Sequence, residues 1–148
     1  MRLKTLTLTL AGVAAALIGT SALAQKKYDP GASDKEIKIG GISPYSGPAS
    51  AYGAIGKAIS AYLTKINDEG GINGRKLNFI SLDDGYNPAK TVEQARKLVE
   101  EEEVLFIFNT LGTPPNSAIH RYMNQKKVPQ LFVATGATKW GDPKNFPW

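Results

Sequence analysis

The sequence contains no cysteine. Disulfides, thiol nucleophiles and cysteine-based metal sites are therefore excluded, and the fold must stand on its apolar core. There is a single histidine, His120, expected mid-helix, with no second histidine or cysteine to complete a zinc site. No Gly-x-Gly-x-x-Gly follows an expected strand, and the phosphate loop and Gly-x-Ser-x-Gly patterns are missing. Nothing assembles a nucleophile, a base and an orienting group, so the chain is not expected to be an enzyme and no cofactor or metal is expected. Basic residues are scattered apart from Lys26–Lys27, Arg75–Lys76 and Lys126–Lys127. Arg2 and Lys4 contribute two of the formal charges behind the net +5. No basic stripe with interleaved aromatics is present, so no nucleic-acid partner is expected. Beyond the first two dozen residues, no apolar run is long enough to cross a bilayer.

What is present begins with a leader. Arg2 and Lys4 precede a short apolar run, Leu6 to Gly19, and Ala22-Leu23-Ala24 supplies small residues at a cleavage site. Residues 1–24 read as a cleaved signal peptide, and the protein as exported. With no cysteine after the apolar run, a lipid anchor is excluded. Residues 25–35 are polar and turn-rich and are expected to form a flexible arm.

From residue 36 the pattern alternates between strand and helix. Glu36–Ile42 reads as strand one. Ile55, Ile59, Tyr62, Leu63 and Ile66 recur at helical spacing, and Gly70–Gly71 stops that helix. Leu77–Leu82 is strand two. Pro88 opens a second helix with Val92, Ala95, Leu98 and Val99 on its buried face. Val104–Phe108 is a continuous apolar run, as expected for a strand buried on both faces. A third helix follows, with Ala118, Ile119, Tyr122 and Met123 on one face, and Pro129–Thr135 reads as strand four. This βαβαβαβ order predicts an α/β fold with a doubly wound, mainly parallel sheet. Ending at Trp148, with nothing to flank strand four, the chain is expected to be an incomplete part of a longer protein.

In open α/β sheets, ligands bind beyond the carboxyl ends of the strands. Four polar, glycine-rich segments fall there: 43–52, 83–87, 109–116 and 135–139. Small hydroxyls and glycines let a ligand approach the backbone, and free amides at helix starts favour anions. Tyr45 or Tyr52 can flank an apolar ligand body. Several of these residues also have purely structural readings. Ser46 and Ser50 suit caps of the first helix, and Thr113 before Pro114 and Pro115 suits an N-cap. Thr138 suits a turn, and Tyr52 suits a partly buried helix face. Asp83–Asp84 fits either an acidic pair for a divalent cation or a solvated turn, the cation needing more oxygen ligands than are at hand. Glu100 to Glu103 reads as a solvated helix end.

The segments "IKIGGISPYSGPASAYGAIGKA", "INDEGGINGRKL", "DDGYNPAKTVEQARKLV" and "VPQLFVATGAT" resemble periplasmic type I solute-binding proteins of ABC importers, most closely the leucine/isoleucine/valine-binding group. The resemblance spans nearly all of residues 36–148, which would be the N-terminal lobe. It implies a periplasmic monomer in which two α/β lobes close on a small-molecule solute and dock on an ABC permease in the inner membrane. The implied solutes are branched-chain amino acids or related amides, urea or aromatic acids. An extracellular ligand-sensing module of a receptor is the alternative. By the same resemblance, Thr113 stands where the family has a ligand-contacting serine. Gly136 and Thr138 fall at carboxylate- and amine-contacting positions, and Tyr52 matches an aromatic near the ligand side chain. Ser46, Tyr45 and Ala137 are further candidates. Ala134–Thr135 replaces the family's usual Ser-Pro, and "FNTLGTPPN" departs from the amino-acid binders.

Overall fold

The computed structural model describes residues 27–148. The leader read over residues 1–24 lies outside the described residues. Four strands, β1 (Glu36–Ser43), β2 (Lys76–Asp83), β3 (Phe106–Phe108) and β4 (Gln130–Leu131), form one parallel sheet in the order β2-β1-β3-β4. Three helices, α1 (Gly53–Asp68), α2 (Pro88–Arg96) and α3 (Thr113–Lys126), connect them. The β1–β2 register runs from Glu36 opposite Lys76 to Ser43 opposite Asp83. β1 is therefore central, and the carboxyl ends of β1 and β2 finish level with each other.

Strand alternation sorts the layers. A side chain at Gly40 would meet Leu98, Val104 and Ile107, so that face of β1 looks toward α2 and α3. Ile42, on the same face, is fully buried with Leu98, Ile107, Ile119 and Met123. Ser43 points the other way, and its hydroxyl lies against Gly56 of α1. The helices thus cover both faces, as the alternating sequence pattern predicts.

Local chemistry explains the helix starts. Asn87 caps α2, its Oδ1 accepting from the amides of Ala89 (2.9 Å) and Lys90 (3.3 Å), with Pro88 as the first helical residue. α2 runs on into a π-helical turn, Lys97–Glu101. Glu100 within it is exposed, as expected, and pairs with Lys126 at 3.0 Å and accepts from the Tyr122 hydroxyl at 3.1 Å. Desolvation and this bond to Glu100 push the Tyr122 phenol up to about 12.

Several expectations are corrected. α3 begins one residue earlier than an N-cap at Thr113 requires; Gly112, at φ +100, occupies the cap position, and Thr113 makes no capping bond. Ser50 opens a short 3-10 turn (Ser50–Tyr52) without a side-chain cap, and Ser46 donates to Asp83 instead of capping α1. β3 is shorter than Val104–Phe108, and β4 holds only Gln130–Leu131 of the expected Pro129–Thr135. Phe132 adopts φ +54, which breaks the extended run, and the ladder resumes as a single bridge between Leu111 and Ala134. The apolar stripe of α1 is only partly covered: Ile55 is 38% and Tyr62 is 62% exposed, while Gly53 and Gly56 are the buried residues. The helix approaches β1 closely through these glycines, and a Cβ at Gly56 would collide with the Tyr45 hydroxyl.

The stretch read as an arm packs against the domain within its described part. Ala32 bridges Ile37, the Lys38 amide donates to Gly31 O, and the Tyr28 hydroxyl donates to Asp34 at 2.6 Å. At the other end, residues 138–148 fold back on α3. His120 meets Trp140 and Phe146 edge-on, with ring centres 5.7 and 5.2 Å away, and Lys139 donates to Ser117 Oγ at 2.8 Å.

Candidate functional site

At the carboxyl end of the sheet lies a cavity of about 760 Å³. Each of the four strand-end segments contributes to its wall. The β1 segment brings Pro48, Ala49 and Tyr52, with Ile55 from α1; the β2 segment brings Tyr86; the β3 segment brings Leu111, Gly112 and Thr113; the β4 segment brings Ala134, Thr135 and Gly136.

The acidic pair at the end of β2 holds these segments in place. Asp83 Oδ1 accepts from the amides of Tyr45 (2.8 Å), Ser46 (3.1 Å) and Gly85 (2.9 Å). Its Oδ2 accepts from Ser46 Oγ (2.6 Å) and Lys90 Nζ (3.0 Å). Desolvation pushes the Asp83 carboxyl up, but the hydrogen bonds from Ser46, Gly85 and Lys90 outweigh it and hold the group well below the usual carboxylate range. Asp84 is buried; its Oδ1 accepts from the Tyr86 amide at 2.9 Å and its Oδ2 from Thr91 Oγ1 at 2.8 Å. Both carboxylates are thus engaged by backbone and side-chain donors, which departs from a cation pair and from a solvated turn alike. Among the described residues, no group of three His, Cys, Asp or Glu side chains could hold a metal ion.

The polar end of the cavity forms where α3 meets the β4 segment. The Thr113 and Thr135 hydroxyls share a hydrogen bond, and Thr135 Oγ1 also accepts from the Ala137 amide at 3.2 Å. Pro114 and Pro115 carry no N–H, and the Asn116 amide is taken by Gly112 O. Among the described residues, the amides of Thr113 and Gly136 make no hydrogen bond. Two hydroxyls and two free amides therefore belong to the three residues that line this end. The rest of the wall is apolar or aromatic, and no charged side chain lines it.

Of the residues singled out from sequence, Tyr52, Thr113 and Gly136 line this cavity together. Tyr45, Ser46, Ala137 and Thr138 do not. The Tyr45 hydroxyl turns to Ser81 Oγ at 2.5 Å, on the α1 side of the sheet, and Ser46 is held by Asp83. Ala137 is bonded back to Thr135, and Thr138 is exposed at the start of a 3-10 turn (Thr138–Gly141). Sequence reasoning did not single out Tyr86. Its φ is +63, and its ring lies so close to Gly112 that a Cβ there would run into it. The available signal was an aromatic set between an acidic pair and a capping asparagine in "DDGYNP".

The family model for periplasmic binding proteins matches residues 36–148. A Leu/Ile/Val-binding protein homolog 1 of Brucella abortus (strain 2308) is 32% identical over 93 residues, covering 61% of this chain and 25% of that protein. The chain thus spans about a quarter of the length of this curated relative. A fatty acid ABC transporter substrate-binding protein from Thermomonospora curvata matches with a TM-score of 0.63 and 31% identity, over 75% of this chain and 28% of that one. A solute-binding protein of an ABC transporter from Rhodopseudomonas palustris BisB5, solved with 3,4-dihydroxybenzoic acid, matches with a TM-score of 0.67 and 29% identity, over 77% of this chain and 31% of that one. With most of its length matched by the family model and its sheet matched by these structures, the chain belongs to the periplasmic binding protein family.

Proposed function

We propose that this chain forms the first lobe of the substrate-binding component of an ABC importer, and that the cavity at its strand ends is its half of the solute site. The observation that carries the reading is the division of the cavity wall. The Thr113 and Thr135 hydroxyls and the free amides of Thr113 and Gly136 form a polar end suited to a carboxylate, beside an apolar wall suited to a hydrocarbon body.

Thr113 and Gly136 make the polar contacts, Tyr52 flanks the ligand body, and Thr138 stands at the exposed rim, where a longer ligand or a closing second lobe would reach it. The relatives named above carry amino-acid, fatty-acid and aromatic-acid chemistries in their names or complexes, all of them built on a carboxylate. A second lobe, as the resemblance implies, supplies the facing wall, and the closed form engages an inner-membrane permease from the periplasm. The protein binds and delivers a solute and performs no bond chemistry on it.

A panel of small carboxylates, titrated calorimetrically against the protein with both lobes, tests this reading. At least one should bind with micromolar affinity or better, and Thr113→Val should weaken it. Failure of every carboxylate, with capture of an uncharged solute unaffected by Thr113→Val, would contradict it.

A further inference from the structure

We propose that Tyr86 is a specificity-determining wall of this cavity, and that the cavity takes a planar aromatic carboxylate. The proposal rests on the solute-binding reading and narrows it to one ligand class.

Tyr86 occupies the left-handed backbone region at φ +63, unusual for a bulky residue and held only where its surroundings impose it. Those surroundings are the acidic pair. Asp84 takes the Tyr86 amide, and Asp83 takes the amide of Gly85 just before it. On its other side the ring lies against Gly112, at φ +100, where any side chain would displace it. Two special backbone positions and two engaged carboxylates thus fix one aromatic ring in the cavity wall. Packing against the sheet does not account for this, since Tyr86 is half-buried and stands outside the apolar core.

The ligand class follows from what the wall offers. Tyr52 and Tyr86 both line the cavity, giving it two aromatic rings. Ring pairs gain from offset or edge-to-face contact beyond the area they bury, and a branched alkyl chain gains only the area. A carboxylate on a flat ring meets both the polar end and the two aromatic rings of this wall.

Two acids of shared head group and different body make the test: 3,4-dihydroxybenzoate and 4-methylpentanoate, titrated calorimetrically against the protein with both lobes. The aromatic acid should bind at least tenfold more tightly. Tyr86→Leu should bring the ratio of the two affinities to within threefold, and Tyr86→Phe, which keeps the ring, should leave the aromatic acid preferred; circular dichroism checks that each variant is folded. Equal affinities in the unaltered chain, a ratio that survives Tyr86→Leu, or binding of neither acid would overturn the proposal. If Thr113→Val weakens both acids alike while Tyr86→Leu leaves their ratio unchanged, the solute site stands and only the assignment of Tyr86 falls.

Discussion

The Thr113 and Thr135 side chains are joined hydroxyl to hydroxyl at 2.5 Å, linking the first residue of α3 to the segment after β4. Each hydroxyl has one proton to donate and two lone pairs to share. One of the two protons lies between them and the other is free to point at a ligand. Thr113→Val keeps the shape, removes one of the two hydroxyls and breaks the bond that orients the other. It should weaken carboxylate binding by about 1–3 kcal/mol, the cost of leaving a buried polar group unpaired. Thr138→Ala, at the exposed rim, should cost less than about 1 kcal/mol by the same argument. Calorimetry on both variants checks the order, and an equal or reversed effect would move the site toward the rim.

Asp83 makes the fold sensitive to acid. Its folded-state pKa lies below its ordinary value, so its contribution to stability is fully present above the ordinary carboxylate range. That contribution is lost as pH falls below about 4 toward the lower folded value. Asp83→Asn should reduce stability at pH 7 by about 1–3 kcal/mol, through the loss of charge-assisted bonds to Ser46, Gly85 and Lys90. It should also flatten the decline between about pH 4 and pH 2. Urea denaturation at several pH values reads both effects, and an unchanged acid slope would contradict this account of the loop.

Gly112 is required twice, by its φ of +100 and by the Tyr86 ring against it. Gly112→Ala should destabilise the protein by about 1–3 kcal/mol, the cost of a side chain in a strained backbone region. Because the same change pushes Tyr86 aside, ligand affinity should fall as well. Denaturation and calorimetry on this variant measure the two losses separately. A stable variant with full affinity would show that the Tyr86 ring is free to leave its place.

The parallel sheet and the layers were legible in the sequence because the alternation of strand and helix periods implies both. Ile42, Ile107, Ile119 and Met123 form the core that the alternating and helical patterns imply. The ends of elements were less legible. β4 stops at Leu131 because Phe132 turns to φ +54, and "PQLFVAT" carries no glycine, and no proline after Pro129, to announce that turn. For α1, the apolar stripe reads as a buried face, yet the contact is made by Gly53 and Gly56, whose lack of a side chain is invisible to hydrophobic spacing. At the cavity, loop position at the strand ends brought out Tyr52, and the family resemblance brought out Thr113 and Gly136. Tyr86 was missed because its role depends on the long-range neighbour Gly112 and on a backbone angle that no local pattern encodes.

The core itself gives a calibration. Met123 is fully buried beside Ile119 and Leu98. Met123→Ala should cost about 2–5 kcal/mol, from lost transfer energy and the cavity left behind. Urea denaturation measures it. A cost below about 1 kcal/mol would mean that α3 does not pack on the sheet as described.

The account turns on where a solute sits. The most direct measurement is the amide spectrum of the isotope-labelled protein with both lobes, titrated with 3,4-dihydroxybenzoate. Saturable shifts of the Thr113 and Gly136 amides, with Lys57 and Thr64 on α1 unmoved, are the predicted result. Binding that shifts the α1 amides and leaves Thr113 and Gly136 unchanged would place the solute elsewhere and contradict the account.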